Sequence, residues 1–201
     1  MEIALIGGFL GAGKTTVLNQ LLRGMDAERL RVAVIENEIG TTGIDDKTLQ
    51  GAGVHITPLF GGCICCQISG AFLEAVREIQ DTIGPDWLLV ELTGLALMDE
   101  MRASFREYGD AQVPLHTLAV ADAARWDVLR RACEQVIRFQ LADADVVLLN
   151  KTDLRGPDDG LLAEIQSFCR PGAPIIPISA VSHGALWATV RDAWRGREHG
   201  E

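Results

Sequence analysis

The sequence predicts one three-layer α/β domain, a mostly parallel sheet of about seven strands flanked by helices. Three observations lead there. Short apolar, β-branched runs alternate with longer segments of helical period, the pattern of parallel strands joined by crossover helices. A glycine-rich stretch, GGFLGAGKTT at 7–16, separates the first such run from the first helical segment. Two later apolar runs end in polar residues, Glu91 and Asn150, where a parallel sheet opens to ligands.

The strands expected in chain order are EIALI (2–6), RVAVIE (31–36), HITPL (55–59), WLLVEL (87–92), LHTLAVA (115–121), DVVLLN (145–150) and PIIPIS (174–179). Between them, Phe72, Val76, Ile79 and Ile83 recur at helical spacing, predicting a helix at 71–83. Met98, Met101, Phe105 and Tyr108 line one face of another helix, and Trp187, Val190 and Trp194 one face of the last. These stripes are core-facing. With 201 residues, 48% hydrophobic, the chain suits one substantial core, so residues 1–195 are expected to form a single domain and 196–201 a frayed polar tail.

Lys plus Arg number 18 against 28 Asp plus Glu, a net charge of −10, so the long-range field repels nucleic acid and anionic membranes. The N-terminus carries Glu2 where a leader would be basic, and no apolar run approaches the roughly 20 residues that span a bilayer. A cytoplasmic protein is expected. Three of the five cysteines cluster at 63–66, which in a reducing compartment points to metal or redox chemistry more than to a disulfide scaffold.

Gly8-x-x-x-x-Gly13-Lys14-Thr15 follows the first strand, and Val17, Leu18, Leu21 and Leu22 begin a helix behind it. This is the context of a phosphate-binding P-loop, and it narrows the expected architecture to a P-loop NTPase fold. Gly8, Gly11, Ala12 and Gly13 would let successive N–H groups face an anion at the positive end of a helix, with Thr16 on its first turn. Lys14 would reach the β- and γ-phosphates, and Thr15 would put its hydroxyl on Mg²⁺. Glu91, ending LLVE, sits where a carboxylate can hold Mg²⁺ directly or through water, and Gly94 can offer its N–H to the terminal phosphate. Asn150, Lys151 and Asp153 form N-K-x-D, in which a carboxylate accepts from the guanine N1 and N2 edge that adenine lacks. Ser179 and Ala180 in ISA (178–180) are placed to close over the base, with the Ala180 N–H as a donor.

GGFLGAGKTT, ENEIG, GGCICC, ELTGLA and NKTDL, in that order, resemble the CobW/HypB/UreG family of metallochaperone GTPases from residue 3 to about 180. The resemblance implies a GTPase of slow turnover that moves metal ions or assists a client metalloprotein or corrinoid protein, with nucleotide- or metal-dependent homodimerisation. It maps a first switch onto Glu36, Asn37, Glu38 and Gly40, and Asp45 onto a position near Mg²⁺ and the γ-phosphate. Thr41 stands where members carry an acidic residue, and a single-domain form is expected, without the C-terminal domain and histidine-rich stretch that many members carry.

Thiolates favour Zn²⁺, Cu(I) and, in suitable geometry, Co²⁺ or Ni²⁺. Cys63, Cys65 and Cys66 can face one ion if the backbone between them turns, with Glu36, Glu38, water or a second subunit completing the set. A redox disulfide between Cys65 and Cys66, or plain packing, are the alternatives. Cys133 and Cys169 each stand alone in helical stretches and read as packing residues, and the four dispersed histidines as structural or exposed. The expected function is GTP hydrolysis coupled to metal delivery or client activation, catalysed by positioning and charge through Lys14, Asp45, Glu91 and Gly94. A small-molecule kinase and a metal or redox sensor with GTP as a structural ligand are the alternatives.

Overall fold

A computed structural model describes residues 1–36, 54–58, 64–92, 98–182 and 184–198. In chain order the elements are β1 (Glu2–Gly8), α1 (Lys14–Ala27), β2 (Val32–Glu36), β3 (Val54–Pro58), α2 (Ile64–Thr82), β4 (Trp87–Glu91), α3 (Met98–Tyr108), β5 (Leu115–Asp122), α4 (Trp126–Ala142), β6 (Val146–Asn150), α5 (Asp159–Gln166), β7 (Ile175–Pro177) and α6 (Leu186–Glu198). The seven strands form one sheet in the order β3-β2-β4-β1-β5-β6-β7, every pairing parallel. Each expected strand is present within a residue or two of its expected ends.

Buried strands alternate their side chains between two faces. Ile3, Leu5, Leu88 and Val90 belong to one core with Phe72, Val76 and Ile79 of α2, Met101 and Phe105 of α3, Ile137 and Leu141 of α4, and Ile165 of α5. Ala4, Ile6, Val34 and Leu89 belong to the other, with Leu18, Leu21 and Leu22 of α1 and Trp187, Val190 and Trp194 of α6. The three layers follow directly. At the strand N-terminal ends His116 is buried, stacks on Trp194 at 4.9 Å and has Nε2 3.0 Å from Glu2 Oε2, so this histidine is structural.

Two expectations are corrected. Tyr108 does not join the α3 stripe: it is the last residue of that helix and is exposed, while Met98, Met101 and Phe105 are buried. The second helix starts at Ile64, seven residues before the apolar stripe marks it, so Cys65 and Cys66 occupy successive helical positions. Successive helical residues step by roughly 100° around the axis, and the rest of the turn expected between Cys63 and Cys66 lies outside the described residues. Ile64 and Ile68 do extend the stripe back from Phe72 at spacing four, but Gly70 between them and Phe72 reads as a helix breaker and hid this start.

Helix α1 ends in a paired C-terminal motif: Arg29 N–H donates to Asp26 O at 2.8 Å and Leu30 N–H to Met25 O at 3.1 Å, with Arg29 left-handed at φ 58°. Gly24 lets α1 approach α6, since a Cβ there would lie 2.5 Å from Trp187 Cβ. Trp187 Cβ is fixed to a helix backbone and cannot swing aside. Replacing Gly24 by Ala gains about 1 kcal/mol of helix propensity but forces this contact apart, at a cost of about 1–3 kcal/mol. G24A is expected to lower the denaturant midpoint, read by chemical unfolding; an unchanged or raised midpoint would contradict the close packing.

Candidate functional site

The central strand β1 has β4 on one side and β5 on the other, so its C-terminal end is where the strand order reverses and an α/β sheet opens a crevice. The glycine loop begins there. Gly8 has φ 140°, and a Cβ would lie 2.4 Å from Val120 O; Gly13 has φ 99°, and a Cβ would lie 2.4 Å from Asn150 Nδ2. Neither position accepts a side chain.

Three loop carbonyls are held by donors from the neighbouring strand ends. Arg125 Nη2 donates to Leu10 O at 2.8 Å, Lys151 Nζ to Gly11 O at 2.7 Å, and Asn150 Nδ2 to Ala12 O at 2.9 Å. In a planar trans peptide the C=O and the following N–H point in opposite directions. Holding the Leu10 and Ala12 carbonyls therefore aims the Gly11 and Gly13 N–H groups the other way. Phe9 O closes the turn, accepting from Ala12 N–H at 3.0 Å and from the buried Lys14 Nζ at 3.4 Å. The N–H groups that open α1 add the positive end of its dipole. Backbone donors, a helix terminus and a lysine together make a cradle for a phosphate chain, with Thr16 on the same first turn.

Thr15 Oγ1 donates to Glu91 Oε1 at 3.0 Å, across a half-buried gap between α1 and β4. Two hard oxygen ligands beside a phosphate cradle suit Mg²⁺, so the donor chemistry fits this ion. Glu91 stands in register with Ile6 of β1 and with Glu36 of β2, which brings both glutamate positions to the mouth.

On the other side, Asn150 acts as a joint: its Oδ1 accepts from the Ala180 N–H at 2.9 Å while its amide holds the loop. The Ala180 N–H, expected on the base, is thus engaged by Asn150. Ser179 Oγ is buried with no partner among the described residues, and Asp153 is exposed at the mouth. Lys151 is left-handed, φ 65°, an uncommon state for a non-glycine residue, held by its two bonds.

The hub of these contacts, Asp122, was not picked out from sequence, nor was Arg125. Asp122 Oδ2 lies 2.7 Å from Lys151 Nζ and 2.6 Å from Arg125 Nε, with its side chain fully buried. The available signal was an apolar strand ending in a carboxylate, as with Glu91. Burial alone would raise this carboxyl, but the hydrogen bonds from Lys151 and Arg125 outweigh it and hold it below the ordinary aspartate value.

Asp45, Gly94, Glu38, Asn37, Gly40, Thr41 and Cys63 lie outside the described residues, as do the side chains of Glu36, Cys65 and Cys66. Among the described residues no three His, Cys, Asp or Glu side chains group to hold a metal, and no helix is long and apolar enough to cross a membrane. Cys169 is half-buried and bonds Ile165 O at 3.2 Å; burial pushes its thiol up to about 11, in keeping with packing. Cys133 stands at a kink of α4, with φ −141°.

A depressed carboxyl stabilises the fold fully above its unfolded pKa, 3.8, and loses that contribution as pH falls through the folded value. D122N should therefore cost about 1–2 kcal/mol at neutral pH and converge on the wild type as pH falls through the lowered folded value. Thermal midpoints of both proteins against pH measure this; a constant gap across the acid range would contradict it.

Residues 2–177 match the family described as CobW/HypB/UreG, nucleotide-binding domain. The zinc chaperone CobW of a Sinorhizobium species is 33% identical over 179 residues, covering 74% of this chain and 50% of that protein. The zinc chaperone YjiA of Escherichia coli K12 is 31% identical over 202 residues, covering 92% and 59%. The chain thus spans about half the length of these curated relatives. Among solved structures, the hydrogenase maturation factor HypB from Archaeoglobus fulgidus shares the fold at TM-score 0.69 and 18% identity, over 98% of this chain and 89% of that one. Zn(II)-bound YjiA GTPase from Escherichia coli aligns at TM-score 0.65 and 25% identity, over 92% and 58%. A match over nearly the whole parallel sheet, with its glycine loop at the end of the central strand, makes this chain a member of the CobW/HypB/UreG nucleotide-binding domain family.

Proposed function

We propose that this chain binds and hydrolyses GTP and couples its nucleotide state to delivery of a transition metal, zinc before cobalt or nickel, or to activation of a metal- or corrinoid-dependent client. One observation carries the reading: the N-K-x-D turn is joined to the phosphate loop through Asn150–Ala12 and Lys151–Gly11, while Asp153 stays exposed beside the mouth. A carboxylate so placed reads guanine, because it accepts from two N–H donors that adenine does not present. The zinc chaperones CobW and YjiA among its relatives support the metal half.

Each residue has a task. The N–H groups of Gly11, Gly13 and the start of α1 hold the phosphate chain, and Lys14 neutralises charge on the transferred phosphoryl group. Thr15 and Glu91 would hold Mg²⁺, which would neutralise charge on the phosphate chain when bound. Positioning and electrostatics then carry the reaction, with Asp45 and Gly94 proposed near the attacking water and the terminal phosphate. Cys63, Cys65 and Cys66, with Glu36 or Glu38, are the proposed cargo ligands, thiolates suiting zinc. Dimerisation driven by nucleotide or metal belongs to the same proposal.

Phosphate release from GTP, followed with and without Zn²⁺, tests this directly. K14A should lose hydrolysis by roughly a hundredfold or more while keeping its melting midpoint within a few degrees. D153A should lose its preference for guanine over adenine nucleotides. Undiminished turnover in K14A, or an unchanged preference in D153A, would sink the assignment.

A further inference from the structure

We infer that Arg125, locked by Asp122, is a positioning residue whose hold on the phosphate loop sets how long the nucleotide is retained. The inference rests on the guanine-nucleotide reading above and adds to it a determinant of nucleotide release. Arg125 touches three things at once. Its N–H donates to Asp122 Oδ1 at 3.1 Å, its Nε to Asp122 Oδ2 at 2.6 Å, and its Nη2 to Leu10 O at 2.8 Å. The guanidinium lies against the outside of the loop: a Cβ at Gly11, where φ is 72°, would come within 3.1 Å of Nη2 and 3.4 Å of Nη1. Glycine at this position gives the guanidinium room.

The base of the side chain is rigid. Arg125 precedes Trp126, the first residue of α4, which is 2% exposed and donates from Nε1 to Glu164 Oε2 at 2.7 Å. The fork therefore reaches the loop from a fixed point, held by a carboxylate that solvent does not reach. Leu10 itself is 69% exposed and makes no anchor through its side chain. Its carbonyl bond to Arg125 thus restrains the Leu10–Gly11 peptide, beside a glycine free to rotate. Once that bond is gone, water satisfies the carbonyl, the peptide turns, and the Gly11 N–H leaves the anion. Binding then has to order the loop again, and the bound state loses a donor already in place.

Arg125 and Asp153 leave from different strand ends, so base preference lies outside the clamp. Loss of the clamp should change release and leave discrimination alone. A residue that merely supported the fold would shift melting and all nucleotides' association together.

The test is stopped-flow release of a fluorescent GDP from the full chain in Mg²⁺ for wild type, R125A and R125K. R125A should release GDP roughly tenfold faster, with association within about twofold and guanine-over-adenine preference unchanged. R125K keeps the cation but lacks the fork that bonds Asp122 and Leu10 together, so its release should fall between the two. Melting midpoints without nucleotide separate loss of folding from loss of the clamp, and R125K carries the test should R125A fail to fold. Release at the wild-type rate in R125A, or in R125K, overturns the inference while leaving the functional reading intact. A wild-type chain that retains no guanine nucleotide overturns both.

Discussion

One buried carboxylate sets the geometry of the mouth. Asp122 ends β5 in register with Asn150 of β6, and its oxygens take a lysine and an arginine that both continue to the phosphate loop. An unpaired carboxylate in that position would cost several kcal/mol, so the two cations are held as firmly as the charge is buried. What they reach for follows from peptide geometry. Donors taken up by the Leu10, Gly11 and Ala12 carbonyls fix which way the loop's own N–H groups face, and an anion site exists because those carbonyls are turned outward.

The sheet order makes this possible. Because β1 is central, strand ends on both sides can lean over its loop: Glu91 from β4 meets Thr15, while Asp122 and Asn150 from β5 and β6 hold the other wall. Phosphate recognition and base recognition are therefore mechanically one unit, since Asn150 touches both the loop and the Ala180 backbone. The glycines at 8 and 13 are the cost of packing so closely, for any side chain there would collide with Val120 or Asn150.

Much of this was legible in the sequence, for identifiable reasons. Strands buried on both faces read as continuous apolar runs, and a Gly-x-x-x-x-Gly-Lys-Thr turn after the first of them has few other uses. Asn150 and Lys151 were found as members of a motif, but their contacts with the loop needed coordinates, because sequence spacing does not say which strand ends become neighbours. Asp122 and Arg125 were invisible for the same cause: an acidic strand end is common, and only the order β1-β5-β6 places this one under the loop. The beginning of α2 was missed because Gly70 interrupts the stripe that Ile64 and Ile68 carry back from Phe72, and a glycine inside an apolar period reads as a boundary.

The proposed coupling of thiols to nucleotide rests on how β2, β3 and β4 neighbour one another. Glu36 ends β2 in register with Glu91, and β3 beside it leads after Pro58 into the helix that opens with Cys65 and Cys66. In the proposed reading a change at the γ-phosphate would be sensed near Glu91, one strand from Glu36, and metal occupancy would follow it. Elemental analysis of the chain equilibrated with zinc, loaded first with a non-hydrolysable GTP analogue and then with GDP, measures this directly. The account predicts different zinc stoichiometries in the two states, abolished when Cys63, Cys65 and Cys66 are replaced by Ser; equal zinc in both states, or none in either, would contradict it.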